Sequence, residues 1–227
     1  MAGLSTGGQR FAGDDGKADP RVAAILEAYA AGREPERAAL TALAGTRLLV
    51  PLIEREASER DVGSAREMAF PTLIGRDGRP ALLAFTSLDA LTRWRPGARP
   101  VPALAAQVWE MAVADSCAVV IDVTGPVPLA VDGARLGALA KGEPPPAPQD
   151  DPDVHAQIAD ALALAGEPAI AAAELSGGGE DTDLAVRLMI RPGATPPPDI
   201  QRAAEAIAAR LAGRLRRGIE VRAVPAR

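Results

Sequence analysis

Several residue types that catalytic and ligand-binding constellations depend on are scarce in this chain. Its 227 residues include three Phe, two Trp and one Tyr. So few rings argue against the stacking platforms that hold single-stranded nucleic acid. There is one histidine, His155, so any Ser-His-Asp or Cys-His arrangement would have to use it. There is one cysteine, Cys117, which excludes an internal disulfide and suits a reducing compartment. It lies in an apolar run, where a thiol reads as a small hydrophobe. No stretch approaches the ~20 uninterrupted apolar residues that span a bilayer. Residues 1–19 are glycine-rich and polar, without the apolar core of a secretory signal. The expectation is a cytoplasmic protein with no membrane partner.

Lysine is nearly absent too, with only Lys17 and Lys141. Arginine is therefore the default cation. The formal net charge is −5, which does not suggest a DNA-binding protein. Charge is uneven: residues 200–227 hold seven Arg and two Glu, a balance of +5 against −10 for the rest. Such asymmetry can mark a contact patch.

Hydrophobic residues make up 48%, enough for packed cores. Residues 1–18 read as a flexible tail and 19–44 as a helical hairpin. Its first helix starts at Asp19-Pro20, with Val22, Ile25, Leu26 and Tyr29 on one face. Thr46 to Ile53 is an apolar strand expected to begin the sheet. The charged residues 54–66 read as a solvated loop. Runs at 67–74 and 79–85 flank Gly75-Arg76-Asp77-Gly78, a hairpin turn. Thr86 or Ser87 then opens a helix through Leu88, Leu91 and Trp94. A second helix is expected over 103–114, a strand over 117–123, a further strand over 127–131 and a short helix capped by Asp132.

Residues 142–152 contain five prolines and no cation, and read as an extended linker. Beyond it, residues 153–165 are helical in pattern, 169–175 and 184–191 are strands around Gly177-Gly178-Gly179, 198–214 is a long helix, and 219–224 closes the series. The predicted class is α+β: two small mixed domains, 45–141 and 153–227, each a mixed sheet with helices packed on it, preceded by the short helical segment.

No coherent catalytic set emerges, no cofactor is implied, and no metal site is expected. Asp151, Asp153 and His155 alternate at a helix start but lack a supporting ligand cluster. Gly177-Gly178-Gly179 is followed by Glu180, Asp181 and Asp183, acids that would repel phosphate. Two features carry functional weight. Thr86 and Ser87 open a helix directly after a strand, where free amides could hold a carboxylate, although ordinary capping explains them as well. Arg210, Arg214, Arg216 and Arg217 form a basic cluster that could dock an acidic partner. The cluster also fits plain stabilisation of a helix end, and it makes a weak case for RNA.

The block Phe70-Pro71-Thr72-Leu73-Ile74, Phe85-Thr86-Ser87 and Leu91 to Trp94, with Val50-Pro51-Leu52 before it and a hydrophobic strand before Asp122 after it, resembles the SseB family. Residues 45–141 resemble its N-terminal domain and 153–227 its associated C-terminal domain. Many members have Asn-Pro after that strand, where this chain has Asp122-Val123-Thr124-Gly125-Pro126. The resemblance implies a cytosolic bacterial protein of a family named for enhanced serine sensitivity, with no catalytic residues to carry over. Two readings stand: a non-enzymatic interaction or regulatory module with a protein partner, and a small-ligand sensor or enzyme of amino-acid metabolism holding a carboxylate at Thr86 and Ser87.

Overall fold

The structure is a computed structural model, and it describes residues 11–54, 68–75, 78–125, 128–194 and 198–226. Its contacts divide the chain into two compact units, Met1–Glu27 with Ala39–Pro145, and Ala28–Ala38 with Pro146–Arg227. Helices and mixed sheets alternate in an α+β architecture, as the sequence pattern predicts.

The first helix, α1 (Pro20–Ala30), begins where Asp19-Pro20 places it. Asp19 Oδ1 accepts the Arg21 amide at 2.8 Å, and Pro20 occupies a position that needs no amide hydrogen. Val22, Leu26 and Tyr29 are buried. The second helix, α2 (Glu36–Ala44), buries Ala39, Leu40 and Leu43.

Two sheets form the first unit. In one, β1 (Arg47–Glu54) lies between β2 (Met68–Ala69) and β5 (Arg99–Leu104), all antiparallel. The other has the order β3 (Thr72–Ile74), β4 (Pro80–Ala84), β6 (Ala118–Ile121), β7 (Leu129–Val131). Its central pair, β4 and β6, runs parallel from Ala81 opposite Ala118 to Ala84 opposite Ile121. The outer pairs are antiparallel. Parallel strands need a crossover, and α3 (Leu88–Trp94), β5 and α4 (Ala105–Ala114) supply it. Successive residues Ala81 to Ala84 of β4 are all buried, as expected of a strand covered on both faces. Leu49, Leu83, Phe85 and Leu91 form a core cluster with Trp94 against it.

Some expectations change here. The single run 67–74 divides, because Pro71 lacks the donor that would continue a ladder: β2 pairs with β1, while β3 forms the hairpin with β4. Strand β1 does not extend the hairpin sheet. One antiparallel bridge, Leu49 to Phe85 with two 2.8 Å hydrogen bonds, joins the two sheets. The helix expected from residue 103 begins at Ala105, and the proline-rich residues before it form β5. Prolines are tolerated there because β5 is an edge strand. Asp132 precedes α5 (Gly133–Ala140) but makes no side-chain cap. Arg135 Nη2 at 2.5 Å and Arg79 Nη2 at 2.9 Å take its carboxylate instead. The turn residues Arg76 and Asp77, the loop 55–67 and Val127 lie outside the described residues.

The second unit follows the predicted α-β-β-α-β order. After a 3-10 turn at Pro148–Asp150 come α6 (Pro152–Ala165), β8 (Ile170–Gly177), β9 (Leu184–Ile190), α7 (Ile200–Leu211) and β10 (Ile219–Pro225). Asp151 caps α6, accepting the Asp153 amide at 2.8 Å, and Gly166 ends it at φ +66°. The sheet order is β10-β9-β8, with β9 and β10 parallel and β8 antiparallel to β9. Leu184, Val186 and Leu188, alternate residues of β9, share one face and pack with Val154, Ile158 and Ala161 of α6 and Ala203, Ile207 and Leu211 of α7. Both helices therefore cover the same face. Each fully buried Leu, Ile or Val there contributes about 1.5–3 kcal/mol. The last helix ends at Leu211 rather than Arg214, ahead of Gly213, which a helix interior disfavours.

Candidate functional site

Chemistry-bearing side chains of the first unit converge where β4 and β6 end side by side. Parallel strands that finish together leave two chain segments emerging next to each other, the usual place for a site in such sheets. Asp122 leaves β6 in the left-handed region, φ +48°, and its amide donates to the Ala84 carbonyl at 3.0 Å. Non-glycine residues adopt that conformation uncommonly, Asp and Asn most readily. From this position the Asp122 carboxylate reaches Thr86. Oδ1 accepts the Thr86 amide at 2.9 Å and Oδ2 accepts the Thr86 hydroxyl at 2.6 Å, with both residues buried. The Gly125 amide closes the turn on the Asp122 carbonyl at 2.7 Å. A Cβ on Gly125 would come within 2.9 Å of Asp122 Cβ, so only glycine fits. Burial pushes the Asp122 carboxyl above its ordinary range, against the opposing pull of Thr86 and Arg93.

Thr86 and Ser87 are thus employed differently. The carboxylate at Thr86 is the chain's own, from Asp122. Ser87 caps α3, its Oγ accepting the Ala90 amide at 3.1 Å. The Leu88 amide donates to Gly16 O at 2.7 Å. The Thr86 carbonyl accepts Arg47 Nη1 at 3.0 Å. Arg47 also grips Asp14, through Nε to Oδ2 at 2.6 Å and Nη2 to Oδ1 at 2.8 Å. Residue-level reading did not find Asp122 as Thr86's partner. The available signal was an acid at a strand end followed by a Gly-Pro turn.

The four C-terminal arginines also have individual partners. Arg210, on α7, meets Asp160 at 3.4 Å across exposed surface, an arrangement worth little. Arg214 lies beyond the helix with a side chain 12% exposed, 2.6 Å from the fully buried Asp151 and 3.8 Å from Glu36. The Arg216 guanidinium stands 5.2 Å over the Tyr29 ring. Arg217 holds Asp183 through Nε at 2.8 Å and its own amide at 3.0 Å, and reaches the Glu180 carbonyl.

Asp151, as the cap of α6 and the partner of Arg214, is fully employed, and His155 Nε2 lies 2.7 Å from the Gln149 carbonyl. Among the described residues no three His, Cys, Asp or Glu side chains are grouped to hold a metal ion. Cys117 is half-buried just ahead of β6, where burial and then Asp115 push its thiol up. In the second unit an open groove of about 760 Å³ lies between α6 and β8, lined by Ile158, Ala159, Leu162 and Ala163 on one side and Ile170 to Ala173 on the other.

A mixed sheet whose parallel central pair is fastened by buried polar groups, followed by a three-stranded α+β unit, defines the class. The family model of the SseB protein N-terminal domain matches residues 22–138, half of the chain. This chain belongs to the SseB family. No curated protein and no solved structure matches it. Among the described residues no helix is long and apolar enough to cross a membrane.

Proposed function

We propose that this protein is a non-enzymatic interaction or regulatory module of the bacterial cytoplasm, and that it docks a protein partner in the α6–β8 groove. The observation that supports this reading is the state of β8. It is an edge strand of eight residues. Edge strands are normally guarded by Lys, Pro or a covering element, and the sequence Ile-Ala-Ala-Ala-Glu-Leu-Ser-Gly has neither residue. A bulge at Ala171 bends only one end. The small side chains of Ala171, Ala172 and Ala173 leave room beside the exposed Ala159 and Ala163. An extended apolar segment entering there would add a strand to the sheet through its backbone and seat alternate side chains against α6. A carboxylate sensor at Thr86 and Ser87 would instead require Asp122 to give up Thr86.

The test is co-purification from the native cytoplasm with the tagged full chain, wild type against Ala159→Arg/Ala163→Arg. These two sites are exposed, so the fold is retained. A stoichiometric protein that is lost when the groove is filled supports the reading. A protein that survives the filling, or a bound metabolite without any protein, overturns it.

A further inference from the structure

We propose that residues Phe11–Lys17 are an internal occupant of a second docking surface, in the first unit, and that this surface takes an acidic segment of a partner protein. The segment has no regular secondary structure, and none of residues 11–19 is buried. It is a turn with the Asp14 amide on the Phe11 carbonyl at 3.0 Å and the Gly16 amide on Asp14 Oδ1 at 2.9 Å, and the Leu88 amide donates to its Gly16 carbonyl at 2.7 Å. Its attachment to the rest of the unit is polar and specific. Arg47 is fixed on β1 and by the Thr86 carbonyl, which leaves Nε and Nη2 as a two-pronged fork. The Asp14 carboxylate fills that fork, and Nη2 also reaches the Lys17 carbonyl at 2.7 Å. Planar guanidinium and carboxylate match bidentately, the strongest form of such pairing.

Beside the fork lies a recess of about 230 Å³ between Phe11 and Leu49, Leu88, Pro100 and Pro102. Gly16 approaches so closely that a Cβ would stand 3.0 Å from Leu88 Cβ, at φ +75°. The recognised pattern is therefore an apolar ring, a carboxylate three residues later, and a glycine two residues after that.

Two energetic features make this arrangement exchangeable. Phe11 is only partly covered and most of the segment is exposed, so its detachment belongs to the low end of local stability. Arg47 is held on β1 and by the Thr86 carbonyl independently of the segment, so departure of the segment leaves its fork in place and open to another carboxylate. The surface survives departure of its occupant, and charge complementarity selects an acidic replacement. The groove of the proposed function lies in the other unit, so Ala159→Arg leaves this binding unchanged.

The experiment uses the full chain and a fluorescent synthetic peptide of residues 9–19, with binding read by anisotropy. In the wild type the tethered segment competes at an effective concentration on the order of millimolar. The peptide is expected to bind Asp14→Ala at least about tenfold more tightly than wild type, because that variant loses the competitor. The same peptide with Asn at its Asp14 position should lose that binding, a control that needs no second change in the protein. Equal binding to both proteins, or undiminished binding of the Asn peptide, overturns the proposal. So does a dimer of Asp14→Ala or of wild type in sedimentation that holds the segment between copies.

Discussion

Strand β4 has neighbours on both sides and is buried along its length, whereas β8 has one neighbour and alternates between covered and open positions. The polar groups that follow β4 are consumed internally, Thr86 by Asp122 and the α3 start by Ser87 and Gly16. Among the described residues no strand pairs with the outer edge of β8, and an apolar helix face stands beside it. A closed strand end turns its polar chemistry into fastening, and an open strand edge leaves backbone groups unpaired by a further strand. In this chain the residues that look most chemical, Thr86, Ser87 and Arg214, already have partners within the chain, and those that look blandest, a run of alanines, border the open groove between α6 and β8.

The largest expected effect tests whether the C-terminal arginines are fasteners as well. Arg214→Ala strands the fully buried Asp151 and should cost about 3–5 kcal/mol. Equilibrium urea unfolding of full-length protein measures it, and a loss below 1 kcal/mol would return Arg214 to the role of a docking residue. Next comes the Asp122 fastening. Its carboxyl is raised in the folded state, so its contribution to stability is complete below the unfolded value of about 3.9 and is lost as pH rises through the folded one. Asn suits the left-handed conformation and does not ionise. Urea midpoints across pH 3–8 should therefore fall more steeply with rising pH in wild type than in Asp122→Asn over that window. Asp132 has the opposite sign. Burial would raise it, but Arg135 and Arg79 hold it lower, so its contribution is present above the unfolded value and lost as pH falls. The smallest effect is Ser87→Ala, about 1 kcal/mol for one lost helix cap, by the same unfolding measurement.

Local signals made much of this fold legible. The Asp19-Pro20 start, the Ser87 cap, the Gly75–Gly78 hairpin and the alternation of β9 each depend on residues within a few positions of one another. Strand β5 escaped because its prolines deny it a strand signature, and only its edge position explains why they are tolerated. The pairing of Thr86 with Asp122 spans 36 residues and that of Arg214 with Asp151 spans 63, distances at which periodicity carries no information. Thr86 and Arg214 were visible as polar residues in telling places. What remained hidden was that each already had a partner.

The chain passes between its two compact units three times, because residues Ala28–Ala38 are grouped with the C-terminal unit. Glu36 and Tyr29 meet their partners Arg214 and Arg216 only once the chain has been made through those residues. At about 5–20 residues per second, this early piece waits on the order of ten seconds or more on the ribosome for the rest of its unit. A protease or chaperone meeting the nascent chain would find the Tyr29 ring before Arg216 exists to cover it.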